Sequence, residues 1–191
     1  MTDTIVIAPQ TAQEAEELVK NFYQPHSASK TSQVEKTLQG IQRSADGWNF
    51  ANYLLQSTDS NCKFFGALTF QVKLNNDTDH LSEPESEELL SVLLGWLLRA
   101  VDRGDSRVVV KKLCSALVTY FLRPISVWKN PLRHTICSFS QGQVVQQDTL
   151  DQYGITGDLL SNLSGAQRLA CLWLDTDLVD ETKKVKEDAS T

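Results

Sequence analysis

Apolar residues recur along this chain at three- and four-residue steps, the spacing that gathers them on one face of an α-helix. Between Thr11 and Tyr23 that face is Ala12, Ala15, Leu18, Val19 and Phe22, and Pro25 ends the run. A second helix is expected from Ser29 or Ser32, either of which can cap it, and carries Val34, Leu38 and Ile41. Ser44 or Asp46 caps a short third helix holding Trp48, Ala51, Leu54 and Leu55. Asp59 or Ser60 opens a fourth, striped with Phe64, Phe65, Leu68 and Val72, with Lys73 near its end.

Asn75 to Asp79 reads as a polar break, and Pro84 suits the first turn of the next helix. That fifth helix, Glu85 to about Asp102, is apolar on most sides and must lie between neighbours. Gly104-Asp105-Ser106 breaks it, and a sixth runs to about Arg123 through Val109, Leu113, Cys114, Leu117, Tyr120 and Phe121. Pro124 stops that run. A seventh holds Trp128, Leu132, Ile136, Cys137 and Phe139, with Pro131 tolerated only in its first turn. Gln141 to about Leu159 is a polar connector, and an eighth helix carries Ala166, Leu169, Ala170, Leu172 and Trp173.

Short links between amphipathic helices make antiparallel hairpins. Pairing first with second, and so on, the hairpins begin near residues 11, 46, 84 and 126. A step of roughly 35–42 residues is that of helical-hairpin solenoids. The expected fold is therefore all-α, an α-α superhelix over residues 1–178, followed by a charged, frayed tail over 179–191. A compact helical bundle is the competing arrangement. An array ending at the last hairpin would leave an apolar end open, so a piece of a longer chain is expected.

Composition agrees. Only 9 Gly and 5 Pro in 191 residues argue against an all-β domain, which needs turns every ~8–12 residues. The net charge of −6 is a poor start for a general nucleic-acid binder. Charge is nonetheless segregated. Asn75 to Ser106 holds eight acids against Arg99 and Arg103, whereas Arg107 to Ser140 holds six Lys and Arg and no acid. Cys62, Cys114, Cys137 and Cys171 form no CxxC pair and sit at helical apolar positions, as buried free thiols would.

The first residues show neither the basic segment nor the long apolar run of a secretory signal, and no apolar stretch is long enough to span a bilayer. His26, His80 and His134 fall in different elements with no HExxH, and no Gly-rich phosphate loop occurs. Neither catalysis nor a cofactor is expected.

The stretch Val34 to Ser44, then Gly47-Trp48 and Leu54-Leu55, resembles the start of importin-β superfamily receptors, where a helix ending in "LxxhQ-S" precedes a Trp and a Leu-Leu. Lys63 to Lys73 (KFFGALTFQVK) is similar to that family's second-repeat B helix. Together with Lys111 to Leu117 and Trp128, the set is most similar to the importin-thirteen and transportin-three branch, fungal members foremost. The resemblance covers roughly residues 10–140, with Gly66 standing where Ala is usual and an acidic insert at Asn75 to Glu88.

The resemblance implies about four HEAT-type hairpins in a right-handed solenoid. It also implies nucleocytoplasmic transport of protein cargo, shuttling between nucleus and cytoplasm, switched by the GTP form of the small GTPase Ran. Nucleoporins are a further implied partner class; membranes and direct nucleic-acid binding are not. Ran contacts would come from the even-numbered helices, with Lys36, Gln71, Lys73, Arg107, Lys111 and Lys112 as candidates. A Ran-independent helical-repeat scaffold is the alternative, and RNA export through the basic block a weaker one. Trp48 and Phe65 are expected to pack between adjacent hairpins, each truncation to Ala costing roughly 3–5 kcal/mol.

Overall fold

A computed structural model describes residues 11–25, 27–78, 81–123 and 131–146, with isolated positions 9, 149 and 152. The described residues contain helices and no strand: α1 (Ala12–Phe22), α2 (Ala28–Arg43), α3 (Gly47–Leu54), α4 (Ser60–Asn76), α5 (Glu83–Asp102), α6 (Arg107–Phe121) and α7 (Pro131–Gln141). The closest partnerships between helices are consecutive, α3 with α4, α5 with α6 and α1 with α2, as hairpin repeats require. The chain divides into two compact units, Met1–Asp77 and Thr78–Thr191. Trp128, the expected eighth helix, Cys171 and the charged tail lie outside the described residues.

In the first unit, Thr11 caps α1 by accepting from the Glu14 N–H at 3.2 Å. α2 begins earlier than Ser29 or Ser32, because Ser27 takes the cap by accepting from the Lys30 N–H. Its first turn is polar, so no apolar period announced it. Asp59 caps α4, accepting from the Asn61 and Cys62 N–H groups at 2.8 and 3.0 Å. The expected break at Asn75 is corrected: α4 continues to Asn76. Asn75 and Asn76 are exposed while Lys73 and Leu74 hold the buried side, so polarity there marks a solvated face.

Ala15, Val19, Val34, Leu38, Ile41, Leu54, Cys62 and Phe65 form one core, with Leu18, Phe22, Phe50 and Tyr53 packed against it. Phe65 thus reaches from α4 to the α1–α2 hairpin, as expected. Trp48 is only half-buried, its ring 5.9 Å from Phe70 within its own hairpin. α3 lies close against α4 at Gly66, where an added Cβ would come 2.8 Å from the Ala51 carbonyl oxygen and 3.1 Å from Leu55 Cγ. A polar tie completes the unit: Ser57, in the turn after α3, donates to the Glu16 carboxylate of α1 at 2.7 Å, and Lys20 pairs with it at 2.7 Å. Those two hydrogen bonds hold the Glu16 carboxyl below its usual range.

In the second unit α5 starts at Glu83, two residues before the sequence reading. The Glu85 carboxylate closes a capping box, accepting from the Ser82 N–H and hydroxyl at 2.8 and 2.6 Å. Pro84 occupies the first turn, where no N–H is needed. At the other end Gly104, at φ 67°, lets the Asp105 N–H reach back to the Ala100 carbonyl at 2.9 Å. Deep between α5 and α6, the Tyr120 hydroxyl meets Ser86, 2.8 Å from its Oγ and 3.0 Å from its carbonyl oxygen. Tyr120 is fully buried, so this pairing satisfies a phenol that would otherwise destabilise the core.

His134 on α7 is buried, its Nε2 against the Val145 carbonyl oxygen, which can only accept. Burial pushes its pKa below 6.5 and the bond to Val145 pushes partly back. The native state therefore binds fewer protons than the unfolded chain once pH falls through 6.5. Stability should be flat above that value and fall below it, towards the depressed native pKa. Thermal melts between about pH 5 and 8 should show this, and His134→Gln, which keeps a donor but cannot titrate, should flatten that limb.

A second expectation concerns Gly66. Helix propensity favours Ala by about 1 kcal/mol, but overpacking against backbone costs about 1–3 kcal/mol. Gly66→Ala should therefore lose about 1 kcal/mol in denaturant titration, and a gain would mean that α3 and α4 can separate freely.

Candidate functional site

The sequence-derived candidates fall on three helices. Lys36 is exposed on α2. Gln71 is half-buried and Lys73 buried on α4. On α6, Arg107 and Lys111 are exposed and Lys112 is half-buried. Lys36, Gln71 and Lys73 belong to the first unit, and the three α6 bases to the second.

Lys73 differs from the others in kind. Its side chain is 3% exposed, and its ammonium donates to the Ser44 carbonyl oxygen at 2.8 Å and pairs with Asp77. The same Nζ lies 5.5 Å from the centre of the Trp48 ring, on its face, a cation–π contact. A buried ammonium is tolerable only with such partners. The stripe read from the sequence (Phe64, Phe65, Leu68, Val72) is half-right, since Phe64, Leu68 and Val72 are half-buried. The buried side of α4 runs instead through Cys62, Phe65, Gly66, Thr69, Phe70, Lys73 and Leu74. Helices α1, α2 and α3 all contact α4, so a wide arc is covered and a lysine falls inside it. Asp77, four residues on, was the available signal for a paired lysine.

The residues that carried the family resemblance meet at this point. Ser44 ends α2, its hydroxyl donating to the Ile41 carbonyl at 2.8 Å while its own carbonyl receives Lys73. Gly47 is so close that an added Cβ would lie 3.0 Å from Lys73 Cδ. Trp48 supplies the aromatic face. The "S…GW…K" signature is thus a packing constraint around one ammonium.

Among the described residues, the thiols of Cys62 and Cys137 offer no reactive chemistry. Cys62, Cys114 and Cys137 are buried and free. Burial raises Cys137 and pushes Cys62 up to about 12, far from the thiolate a nucleophile needs. Among the described residues no group of three or more His, Cys, Asp or Glu could hold a metal ion, and no helix is long and apolar enough to cross a membrane. What the α6 bases offer is charge-assisted contact with an anionic partner. Sequence reasoning passed over Val108, which stands 60% exposed among them.

The Lys73 geometry carries a direct test. Lys73→Met keeps the apolar stem and removes the ammonium, and should cost about 2 kcal/mol, the scale of hydrogen bonds to a charged group. Lys36→Met, at an exposed position, should stay within about 0.5 kcal/mol of the parent. Equal effects in urea titrations would remove Lys73 from the core.

No family model matches this chain. It is 37% identical over 110 residues to "Importin beta-like protein kap111" of Schizosaccharomyces pombe, a match covering 57% of this chain and 11% of the relative. It is 30% identical over 125 residues to "Importin-13 homolog A" of Dictyostelium discoideum, covering 64% of this chain and 12% of the relative. The matched stretch is thus a small part of either relative's length. Together with the all-helical hairpins, these two matches place the sequence similarity of this chain in the importin-β superfamily.

Proposed function

We propose that this chain is the RanGTP-binding region of a nuclear transport receptor and contributes to moving protein cargo between cytoplasm and nucleus. The observation that supports this best is the 37% identity over 110 residues to an importin beta-like protein. On this reading the chain is an N-terminal HEAT-repeat region, and it shuttles. Nucleoporins and cargo would be met by the receptor as a whole.

Partner contacts are assigned, unit by unit, to Lys36 and Gln71 in the first unit and to Arg107, Lys111 and Lys112 in the second. Lys73 serves it indirectly, by holding α2 and α4 together. Charged rim contacts of this kind set association rate and partner choice more than bulk affinity.

The test is a titration of the chain against Ran loaded with a non-hydrolysable GTP analogue, with the GDP form beside it. At least about tenfold tighter binding to the GTP form, or 1.4 kcal/mol, is expected. Lys111→Glu with Lys112→Glu should slow association by about tenfold or more at low salt. Equal binding to both forms, or none, would leave a Ran-independent helical scaffold as the better reading.

A further inference from the structure

Of the four helices in the first unit, α1 buries the fewest residues. It spans eleven residues and buries only Ala15 and Val19, with Leu18 and Phe22 partly covered. An isolated helix shorter than about 12–15 residues barely forms in water, so α1 is helical only while docked. The other three helices have ties that bypass it. α2 is fastened to α4 where the Ser44 carbonyl receives the Lys73 ammonium at 2.8 Å. α3 lies on α4 at Gly66 and through the Trp48 and Phe70 rings.

The polar ties of α1 converge on Glu16. Its carboxylate accepts from the Ser57 hydroxyl at 2.7 Å, and its carbonyl oxygen accepts from the Cys62 thiol at 3.7 Å. Ser57 Oγ in turn accepts from the Asp59 N–H at 3.0 Å, and Asp59 caps α4 through the Asn61 and Cys62 N–H groups. One chain of hydrogen bonds therefore runs from α1 to the N-terminus of α4. Cys62 is wholly buried at this seam. Burial first, and the Asp59 charge second, push its thiol up to about 12, so it is unreactive while α1 is docked.

We propose that α1 is a latched terminal helix: it leaves α2, α3 and α4 as one unit, melting as it goes, and the Glu16–Ser57 bond is the latch that sets how often it does so. Local openings start from elements with little buried apolar surface. Release uncovers the Cys62 thiol and the sides of Val34, Leu38 and Phe65 that face α1, and it leaves the Lys73 cluster intact. The latch stands apart from the Ran reading, since neither Lys36 nor Gln71 takes part in it.

The experiment labels the whole native chain with iodoacetamide at about pH 8, where an uncovered thiol is largely reactive. Cys62 and Cys114 are followed separately by peptide mass spectrometry. Cys62 should react slowly, at a rate that low urea hardly changes, because opening α1 exposes little surface. Ser57→Ala should raise that rate about tenfold or more, the scale of a hydrogen bond to a charged group. Glu16→Ala should do likewise, and the double change should be no faster than the faster single one, since both remove one contact. Cys114, buried in the second unit, should keep its rate in all three variants. Hydrogen exchange should show the α1 amides opening in parallel with Cys62 while those of α2 and α4 stay protected.

Cys62 labelling that climbs with urea as steeply as the unit's helix signal is lost overturns the proposal, because the whole unit then opens. So does a rate unmoved by both Ser57→Ala and Glu16→Ala. Exchange of α2 amides in step with those of α1 would make the hairpin, not α1, the opening unit. Ser57→Thr, which keeps a hydroxyl, should hold the parent rate; a rise equal to that of Ser57→Ala would mean that packing at the turn, not the bond to Glu16, holds α1.

Discussion

The first unit is organised about one buried cation. The Lys73 ammonium sits where the end of α2, the start of α3 and the last turn of α4 meet, and each supplies a different partner: the Ser44 carbonyl, the Trp48 ring and Asp77. A carbonyl at a helix C-terminus carries partial negative charge with no partner in its own helix, so it suits an ammonium well. The lysine stem passes Gly47, where an added Cβ would press on it at 3.0 Å. Removing water from such a charge is costly, and the three partners together offset that cost.

The second constraint is how closely α3 lies on α4. Gly66 faces the Ala51 carbonyl with no room for a methyl group, which brings the two helices together just beside the Lys73 cluster. Close approach allows Phe70 to meet Trp48 and places Phe65 against the α1–α2 core. The glycine that departs from the family pattern is thus the residue that sets this spacing. In the second unit a neutral pairing has the corresponding place: Tyr120 and Ser86 close the α5–α6 interface with hydroxyls and a carbonyl. One unit is held by a charge and the other by a phenol, although both are helical hairpins.

This arrangement separates buried from exposed basic residues along α4 and α6. On α4 the basic residue near the end is turned inward and consumed by the fold. On α6 the bases remain at the surface, next to an exposed valine. Helices of similar composition thus differ in what they present to solvent, because neighbours cover one lysine and leave others in water. Basic charge in a sequence is a resource that packing allocates.

The sequence alone determined the helices, their order and their consecutive pairing, because apolar spacing, Pro and capping residues act locally. Thr11, Asp59 and Pro84 stand where local rules put them. It also carried the family resemblance, which the two importin matches support. Local signals failed where partners are distant in sequence or a turn is polar throughout. Ser27 capped α2 unannounced, α4 ran through Asn75 and Asn76, and Trp48 proved half-buried. Whether Lys73, Lys111 or Val108 faces water was decided by tertiary structure alone. Exposure depends on which helices cover a given arc, and a side chain's own spacing does not record that.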